Sequence, residues 1–184
     1  MQVEATALPD VKIIHAKKFG DHRGFFSETY SARAFGEAGI DLVFIQDNHS
    51  LSAEIGTLRG LHFQAPPHAQ DKLVRVTRGR ILDIAVDIRA SSPDFGKFVA
   101  VELSAENWRQ LLVPVGFAHG FVTLEPDTEV LYKVSAPYAP SHDHGLAFDD
   151  PALGIDWGLP VDKLILSDKD RRHPKLAALP RYFP

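Results

Sequence analysis

The stretch RILDIAVDIR, residues 80–89, alternates its side chains with a period of two. One face of an extended chain would carry Leu82, Ile84, Val86 and Ile88, and the other would carry Asp83, Ala85 and Asp87. Alternation of this kind is typical of a β-strand, since an α-helix repeats every 3.6 residues. The stretch therefore predicts a strand.

Similar short apolar segments recur along the chain, separated by Gly, Pro, Asp and Ser. They lie at 72–77, 97–104, 109–115, 120–125 and 129–135. Regularly spaced short strands are typical of a sandwich or barrel. SARAFGEAG (31–39) predicts one helix with Ser31 as its N-cap and Gly39 just beyond its end, and residues 160–180 predict one or two more short helices. The fold class predicted is mostly β with a few short peripheral helices.

Length and composition restrict the function classes. The 184 residues, 45% of them hydrophobic, predict one domain spanning residues 1–184. The absence of cysteine excludes disulfides, thiolate nucleophiles and Cys-based metal sites and suits the cytoplasm. The sequence contains no uninterrupted apolar segment of the kind that forms a signal peptide or a membrane span, so we expect neither. A net charge of −4 disfavours a nucleic-acid partner.

VPVGFAHGF (113–121) contains the spacing P-x-G-x-x-H. This spacing resembles the second motif of the cupins, which are jelly-roll (double-stranded β-helix) barrels; the alternative is a Pro-Gly turn before a buried His. The first cupin motif needs two histidines two residues apart and then an acid, but in residues 60–79 Phe63 and Gln64 follow His62, and Lys72 stands where the acid would be expected. Because an ammonium repels a divalent cation, His62, Lys72 and His119 suit an anion or an oxyanion better than a metal.

The other histidines of the sequence are not predicted to be catalytic or to bind a metal. HDH (142–144) has His-x-His spacing, but its Pro- and Ser-rich surroundings predict an exposed loop. The same interpretation, a solvated position without a metal, applies to the remaining histidines, which are His15, His22, His49, His68 and His173. A metal-dependent cupin that uses His62 and His119 with HDH remains an alternative.

Tyr132 is a polar residue in an apolar strand. It shares a face with Val130 and Val134, so we expect it to point into the barrel, where a phenol needs a hydrogen-bond partner or a chemical task.

Seven motifs together resemble the dTDP-4-dehydrorhamnose 3,5-epimerases, in the order of that family. They are DHRGFF (21–26), QDNHS (46–50), LRGLHFQ (58–64), QDKLVRVTRG (70–79), the P-x-G-x-x-H turn, LYKVS (131–135) followed by Tyr138, and LSDKD (166–170). The resemblance implies a cofactor-free, homodimeric cupin enzyme of dTDP-L-rhamnose synthesis that inverts C3 and C5 of dTDP-4-keto-6-deoxyglucose. Both carbons flank the C4 ketone, so loss of either proton gives an enolate.

The resemblance also implies the catalytic roles. His62 is the base, Tyr132 the acid on the opposite face of the sugar, and Lys72 the stabiliser of the enolate oxygen. Asp170, rather than Asp168, is assigned as the partner of His62, and His119 as a further contact near the sugar.

Contacts to the rest of the substrate follow from the same resemblance. Arg23 and Arg59 would bind the diphosphate, Tyr138 would flank the thymine, and the remaining predicted contacts are Glu28, Gln46, Asp47, Asn48, Asp143 and Lys169. Many relatives carry Glu at the position of Asp143. Strict alternation would send Arg59 and His62 to opposite faces, so we predict a bulge at Gly60. Two alternatives remain: an epimerase of C3 or C5 alone, and a non-catalytic sugar-nucleotide-binding cupin.

Overall fold

Two antiparallel sheets face each other in the computed structural model, which describes residues 1–184. The strands are β1 (Gln2–Ala5), β2 (Lys12–His15), β3 (Lys18–Asp21), β4 (Gly24–Ser27), β5 (Gln46–Ser52), β6 (Leu58–Gln64), β7 (Lys72–Arg78), β8 (Arg80–Asp87), β9 (Phe98–Ser104), β10 (Arg109–Val113), β11 (Phe117–Thr123), β12 (Thr128–Val134) and β13 (Asp143–Gly145). One sheet has the order β1-β2-β10-β7-β12-β5 and the other β13-β6-β11-β8-β9, while β3 and β4 form a separate hairpin. This is the jelly roll that the sequence predicted.

The helical predictions are confirmed in part. Helix α1 spans Ala32–Glu37, the Ser31 hydroxyl accepts a hydrogen bond from the Ala34 amide at 3.4 Å, and Gly39 follows with a φ of +76°. The C-terminal region forms only 3-10 turns, at Val161–Lys163, Asp170–Arg172 and Leu176–Ala178. Pro174 and Pro180 follow the second and third of these turns within two residues and keep them from extending. None of the helices has the length and apolarity needed to span a bilayer.

Three apolar clusters hold the layers together. The first fills the space between the two sheets and includes Val74, Ile81, Leu111 and Val130. The second lies on the outer face of the five-stranded sheet, where residues 146–183 cover it with side chains such as Trp157. In the third, Phe35 of α1 packs on the outer face of the six-stranded sheet. The C-terminal segment is thus fixed against the sheet that contains β6.

Strand β8, which contains most of the stretch RILDIAVDIR, is buried on both faces. Ile84 and Val86 pack outward beneath the C-terminal segment, whereas Ile81 and Ala85 face the space between the sheets. Asp83 shares the face of Ile81 and Ala85, so its carboxylate, with no exposed surface, points into the barrel rather than into solvent.

The predicted irregularity at Gly60 is confirmed. The register between β6 and β11 shifts between the pairs His119–His62 and Phe121–Arg59. Gly60 has a φ of +137°, and a Cβ there would lie 2.5 Å from the Cα of Gly120, so only glycine fits this crossing. The shift turns Arg59 and His62 into the same pocket.

Candidate active site

His62 lies in β6 with its ring beside a buried carboxylate. Its Nε2 is 2.5 Å from Oδ1 of Asp170, which belongs to the 3-10 turn at Asp170–Arg172. The amide of Asp170 donates to the Ser167 hydroxyl at 3.1 Å. Asp168 makes no such contact with His62; its carbonyl accepts a hydrogen bond from Arg172. The turn therefore presents Asp170, not Asp168, to the imidazole.

The surroundings favour a neutral imidazole at His62. Burial lowers its pKa, Asp170 opposes that shift, and the charges of Lys72 and Lys169 lower the pKa further. Burial alone would raise the pKa of Asp170, but the neighbouring side chains of His173, His62 and Ser167 hold it well below its usual range. A neutral ring beside a fixed carboxylate can accept a proton and then be stabilised as imidazolium.

Lys72 enters the same pocket from β7 in the facing sheet. Its Nζ lies 3.5 Å from the backbone carbonyl of His62. Burial lowers the pKa of Lys72 to about 8, against the opposing charges of Asp143 and Asp83. An ammonium held in so poorly solvated a position is a strong local source of positive charge.

Tyr132 lies in β12, also in the sheet opposite His62. It packs against the apolar cluster between the sheets, as the sequence predicted. Burial raises the pKa of Tyr132, with Arg59 opposing and Asp143 adding to the rise. The phenol therefore keeps its proton at neutral pH and can donate it.

A second imidazole–carboxylate pair lies beside the first. His119 in β11 is the cross-strand neighbour of His62, and its Nε2 is 2.6 Å from Oδ1 of Asp83. Both side chains are almost completely buried, and Oδ2 of Asp83 has no hydrogen-bond partner.

The side chains around His62 line two adjoining spaces. One, with an empty volume of about 810 Å³ including the part open to solvent, is lined by Ser50, Arg59, His62, Lys72, His119, Phe121, Tyr132, Ser167, Lys169 and Asp170. The other, of about 660 Å³, shares His62, Lys72, Tyr132 and Lys169 and adds Gln46, Asn48, Phe63, Gln64, Gln70, Tyr138 and Asp143. Together they form a cleft in which Arg59, Lys72 and Lys169 lie beside the carboxylates of Asp143 and Asp170.

Asp143 links two other side chains that line the second of these spaces. Its Oδ2 accepts hydrogen bonds from the Tyr138 hydroxyl at 2.9 Å and from Lys169 Nζ at 2.5 Å. Burial would raise the pKa of Asp143, but these two partners hold it below its usual value.

A family model for dTDP-4-dehydrorhamnose 3,5-epimerase matches residues 5–178. The chain belongs to the dTDP-4-dehydrorhamnose 3,5-epimerase family. A curated member from Sinorhizobium fredii is 52% identical over 183 residues, which cover 100% of this chain and 93% of that one. This agrees with the order of the seven motifs.

Solved structures of the 3,5-epimerase family have the same fold. The protein from Legionella pneumophila, in complex with dTDP-4-keto-L-rhamnose, is similar with a TM-score of 0.94 and 42% identity over 100% of this chain and 97% of that one. The protein from Bacillus anthracis, with TDP and PPi bound, gives a TM-score of 0.91 and 49% identity over 95% and 98% of the two chains.

Three residues predicted as substrate contacts of this 3,5-epimerase family member lie outside the cleft in the single chain. Asp47 is on the opposite face of β5 from Asn48 and forms an ion pair with Lys133 at 2.8 Å. Arg23 is at the exposed end of the β3–β4 hairpin, bound to Asp21, and Glu28 follows the hairpin and is exposed.

Two predictions about histidines are wrong. HDH (142–144) is not an exposed loop: Asp143–Gly145 forms β13, which pairs with β6, and His144 stacks on Tyr182 with ring centroids 4.4 Å apart. His173 is not in a solvated position: its side chain is only 9% exposed, and its Nε2 lies 3.4 Å from Oδ1 of Asp170.

Sequence reasoning also missed Asp83. The alternation in β8 does signal that Asp83 shares a face with Ala85 and Asp87, but such a face is usually solvated. Only the pairing of β8 with β11 shows that this face lines the barrel.

One set of side chains in this 3,5-epimerase family member has metal-ligand spacing. The ligand atoms of His62, Asp170 and His173 all lie within 4.8 Å of one another. The 2.5 Å separation of His62 and Asp170 is a hydrogen-bond length, whereas two ligands of a tetrahedral Zn²⁺ are roughly 3.3 Å apart. The nearby ammonium groups of Lys72 and Lys169 also disfavour a cation. The arrangement fits proton transfer better than metal binding.

Proposed function

We propose that this chain inverts C3 and C5 of dTDP-4-keto-6-deoxy-D-glucose, giving dTDP-4-keto-L-rhamnose for dTDP-L-rhamnose synthesis. The observation that supports this mechanism best is the placement of His62 and Tyr132 on facing sheets of one cleft, with Lys72 beside them. A base and an acid on opposite sides of a sugar ring are what inversion of a carbon centre requires.

The chemistry proposed for each carbon has two steps. Neutral His62 takes the proton from the carbon next to the ketone, and the electron pair of that C–H bond moves into an enolate whose charge rests on the C4 oxygen. Lys72 stabilises that oxygen, and His119 adds a second imidazole nearby. Tyr132 then donates its proton to the other face of the carbon. Solvent takes the proton from His62 and returns one to Tyr132, so no redox cofactor is consumed.

Substitution of Tyr132 tests this division of labour. We expect Tyr132→Phe to retain part of the wild-type exchange of the C3 and C5 hydrogens with solvent deuterium, because His62 remains, but to give products of altered stereochemistry. NMR of the products in heavy water measures both quantities. Loss of exchange equal to that in a His62→Ala variant would contradict separate roles, and inversion of one centre by the wild type would identify a single-carbon epimerase.

The pKa of Lys72 predicts an alkaline limit to activity. If the ammonium stabilises the enolate, kcat/KM should fall as the pH rises through about 8, where Lys72 loses its proton. A Lys72→Arg variant retains a charge that does not titrate in this range, so its residual activity should show no such decline. The measurement is a pH profile of kcat/KM for both proteins, and an unchanged alkaline limb in Lys72→Arg would contradict the assignment.

We also propose that the enzyme is a homodimer in which each subunit completes the partner's cleft. The β3–β4 hairpin exposes Phe19, Phe25 and Phe26 by 53%, 55% and 69%, and an apolar patch of this kind usually marks an interface. The same hairpin carries Arg23, which no residue of this chain's cleft contacts. Contact of the hairpin with a second subunit would cover the phenylalanines and bring Arg23 and Glu28 to a substrate.

Subunit mixing tests this arrangement. Arg23→Ala and His62→Ala should each be impaired, and a mixture that exchanges subunits should regain activity, because one cleft of each mixed dimer has both residues. Ultracentrifugation gives the oligomeric state. A fully active monomer, or a mixture no more active than its components, would contradict the proposal.

We propose a cytoplasmic location, which the lack of cysteine supports. We also propose that residues 1–184 form one domain, because both sheets supply the cleft.

A further inference from the structure

Asp170 faces a second imidazole besides His62. His173, three residues along the chain, places Nε2 at 3.4 Å from Oδ1 of Asp170, the same oxygen that His62 approaches at 2.5 Å. The rings of His62 and His173 meet edge to face, with centroids 5.5 Å apart. His173 is therefore packed against both members of the pair.

The position of His173 is closely defined by its surroundings. Its side chain is 9% exposed, and Nε2 is buried without a hydrogen-bond partner of good geometry. Its ring lies directly over Gly145 of β13, where a Cβ would collide with the ring atoms. Burying an imidazole N–H without a partner is destabilising, and the carboxylate of Asp170, 3.4 Å from Nε2, offsets part of this cost.

We propose that His173 is a positioning residue: its Nε2–H holds the Asp170 carboxylate in place and shares the negative charge on Oδ1 with His62. This inference rests on the function proposed above. His173 does not line the space shared by Arg59 and Lys72, so it acts through Asp170 rather than on the sugar.

Two consequences follow for the His62–Asp170 pair. Anchored from a second side, the carboxylate cannot rotate away when His62 becomes imidazolium. Because His173 takes part of the charge on Oδ1, Asp170 attracts the proton of His62 less strongly than it would alone. His173 thus keeps the imidazole of His62 neutral to lower pH.

Other charged and titratable groups also face His62. The titration of His62 must therefore be compared between proteins in which these groups are not substituted. The groups are Lys72 from β7, His119 from β11, Tyr132 from β12, Asp143 from β13, Lys169 and Asp170.

A matched pair of variants separates the N–H group of His173 from its volume. His173→Phe keeps a buried ring but removes the donor, whereas His173→Gln places an amide N–H near the position of Nε2. We expect His173→Phe to lower kcat about tenfold with little change in KM, because the polar contact of Nε2 with the Asp170 carboxylate is lost. We also expect it to shift the titration of His62 to higher pH. His173→Gln should restore most of both properties.

Two further variants complete the design. Gly145→Ala should displace the His173 ring without removing it and should shift kcat and the His62 titration in the same direction as His173→Phe. His144→Phe, in the same strand but without contact to Asp170, should leave both unchanged.

NMR titration of the His62 ring in ligand-free protein provides a measurement that does not depend on activity. A wild type that exchanges no substrate hydrogen would overturn the proposed function but leave this coupling testable. Identical titrations of His62 in wild type and His173→Phe would overturn the coupling. Equal impairment of His173→Phe and His173→Gln would show that His173 contributes ring packing alone.

Discussion

Replacing His62 with alanine is expected to abolish the exchange of hydrogen at both C3 and C5 of the substrate. Removal of a general base costs roughly 10²–10⁴-fold in rate, and the proposed base serves both carbons, so neither exchange should survive. The fold should tolerate the change, because His62 is partly exposed to the cleft and its β6 neighbours Leu61 and Phe63 remain buried. Deuterium incorporation by NMR measures each carbon separately.

The control for this prediction is His68→Ala. His68 lies outside the cleft, against His142 at 4.6 Å between ring centroids, and its loss should leave exchange unchanged. Persistence of exchange at one carbon in His62→Ala would contradict the account, because it would require a second base. The nearest candidate would then be His119, paired with Asp83.

Replacing Lys72 with methionine is expected to cost nearly as much. Methionine keeps the length of the side chain but leaves the enolate oxygen without its positive charge, and loss of one such donor costs roughly 10²–10³-fold in kcat. KM should change less, since Arg59 and the other predicted contacts to the nucleotide remain. Steady-state kinetics over a range of substrate concentrations separates the two parameters.

Arg75 offers a matched control for Lys72→Met. It lies in the same strand three residues on, with its side chain on the outer face of the six-stranded sheet, so Arg75→Met removes a positive charge from β7 without touching the cleft. A Lys72→Met variant with wild-type kcat and raised KM would contradict the proposed role, because it would make Lys72 a contact to the ground state alone.

The strands of the barrel could be predicted from the sequence because their apolar residues alternate regularly. Strands β7 to β12 appear where the segments at 72–135 place them, with ends that differ by a few residues. Strands β1 to β4 could not be predicted, since each has only four residues, too few to show a clear alternation. A short strand without alternation differs little from a loop in its sequence.

Which faces come together depends on strand pairing, and this limited the prediction of the site. Asp83 reads as solvent-facing until β8 is placed beside β11. His173 reads as a loop residue until the turn that carries Asp170 packs against β6. The bulge at Gly60 could be predicted because Arg59 and His62 had to share one pocket and Gly60, one of the two residues between them, can adopt the backbone conformation of a bulge.

The three residues found outside the cleft have a related explanation. The motif order identified Arg23, Glu28 and Asp47, but motifs carry no information on whether a contact forms within one chain or between two. For Arg23 and Glu28 we propose a contact between subunits. Asp47 is paired with Lys133 on the outer face of its sheet, and the structure offers no route from there to the cleft.

The most direct test of the account is incubation of the chelator-treated enzyme with dTDP-4-keto-6-deoxyglucose in heavy water. The account predicts deuterium at both C3 and C5 of the product, at a rate that chelation does not change. Absence of label at both carbons despite tight binding, or exchange that disappears on chelation and returns with a divalent cation, would contradict it.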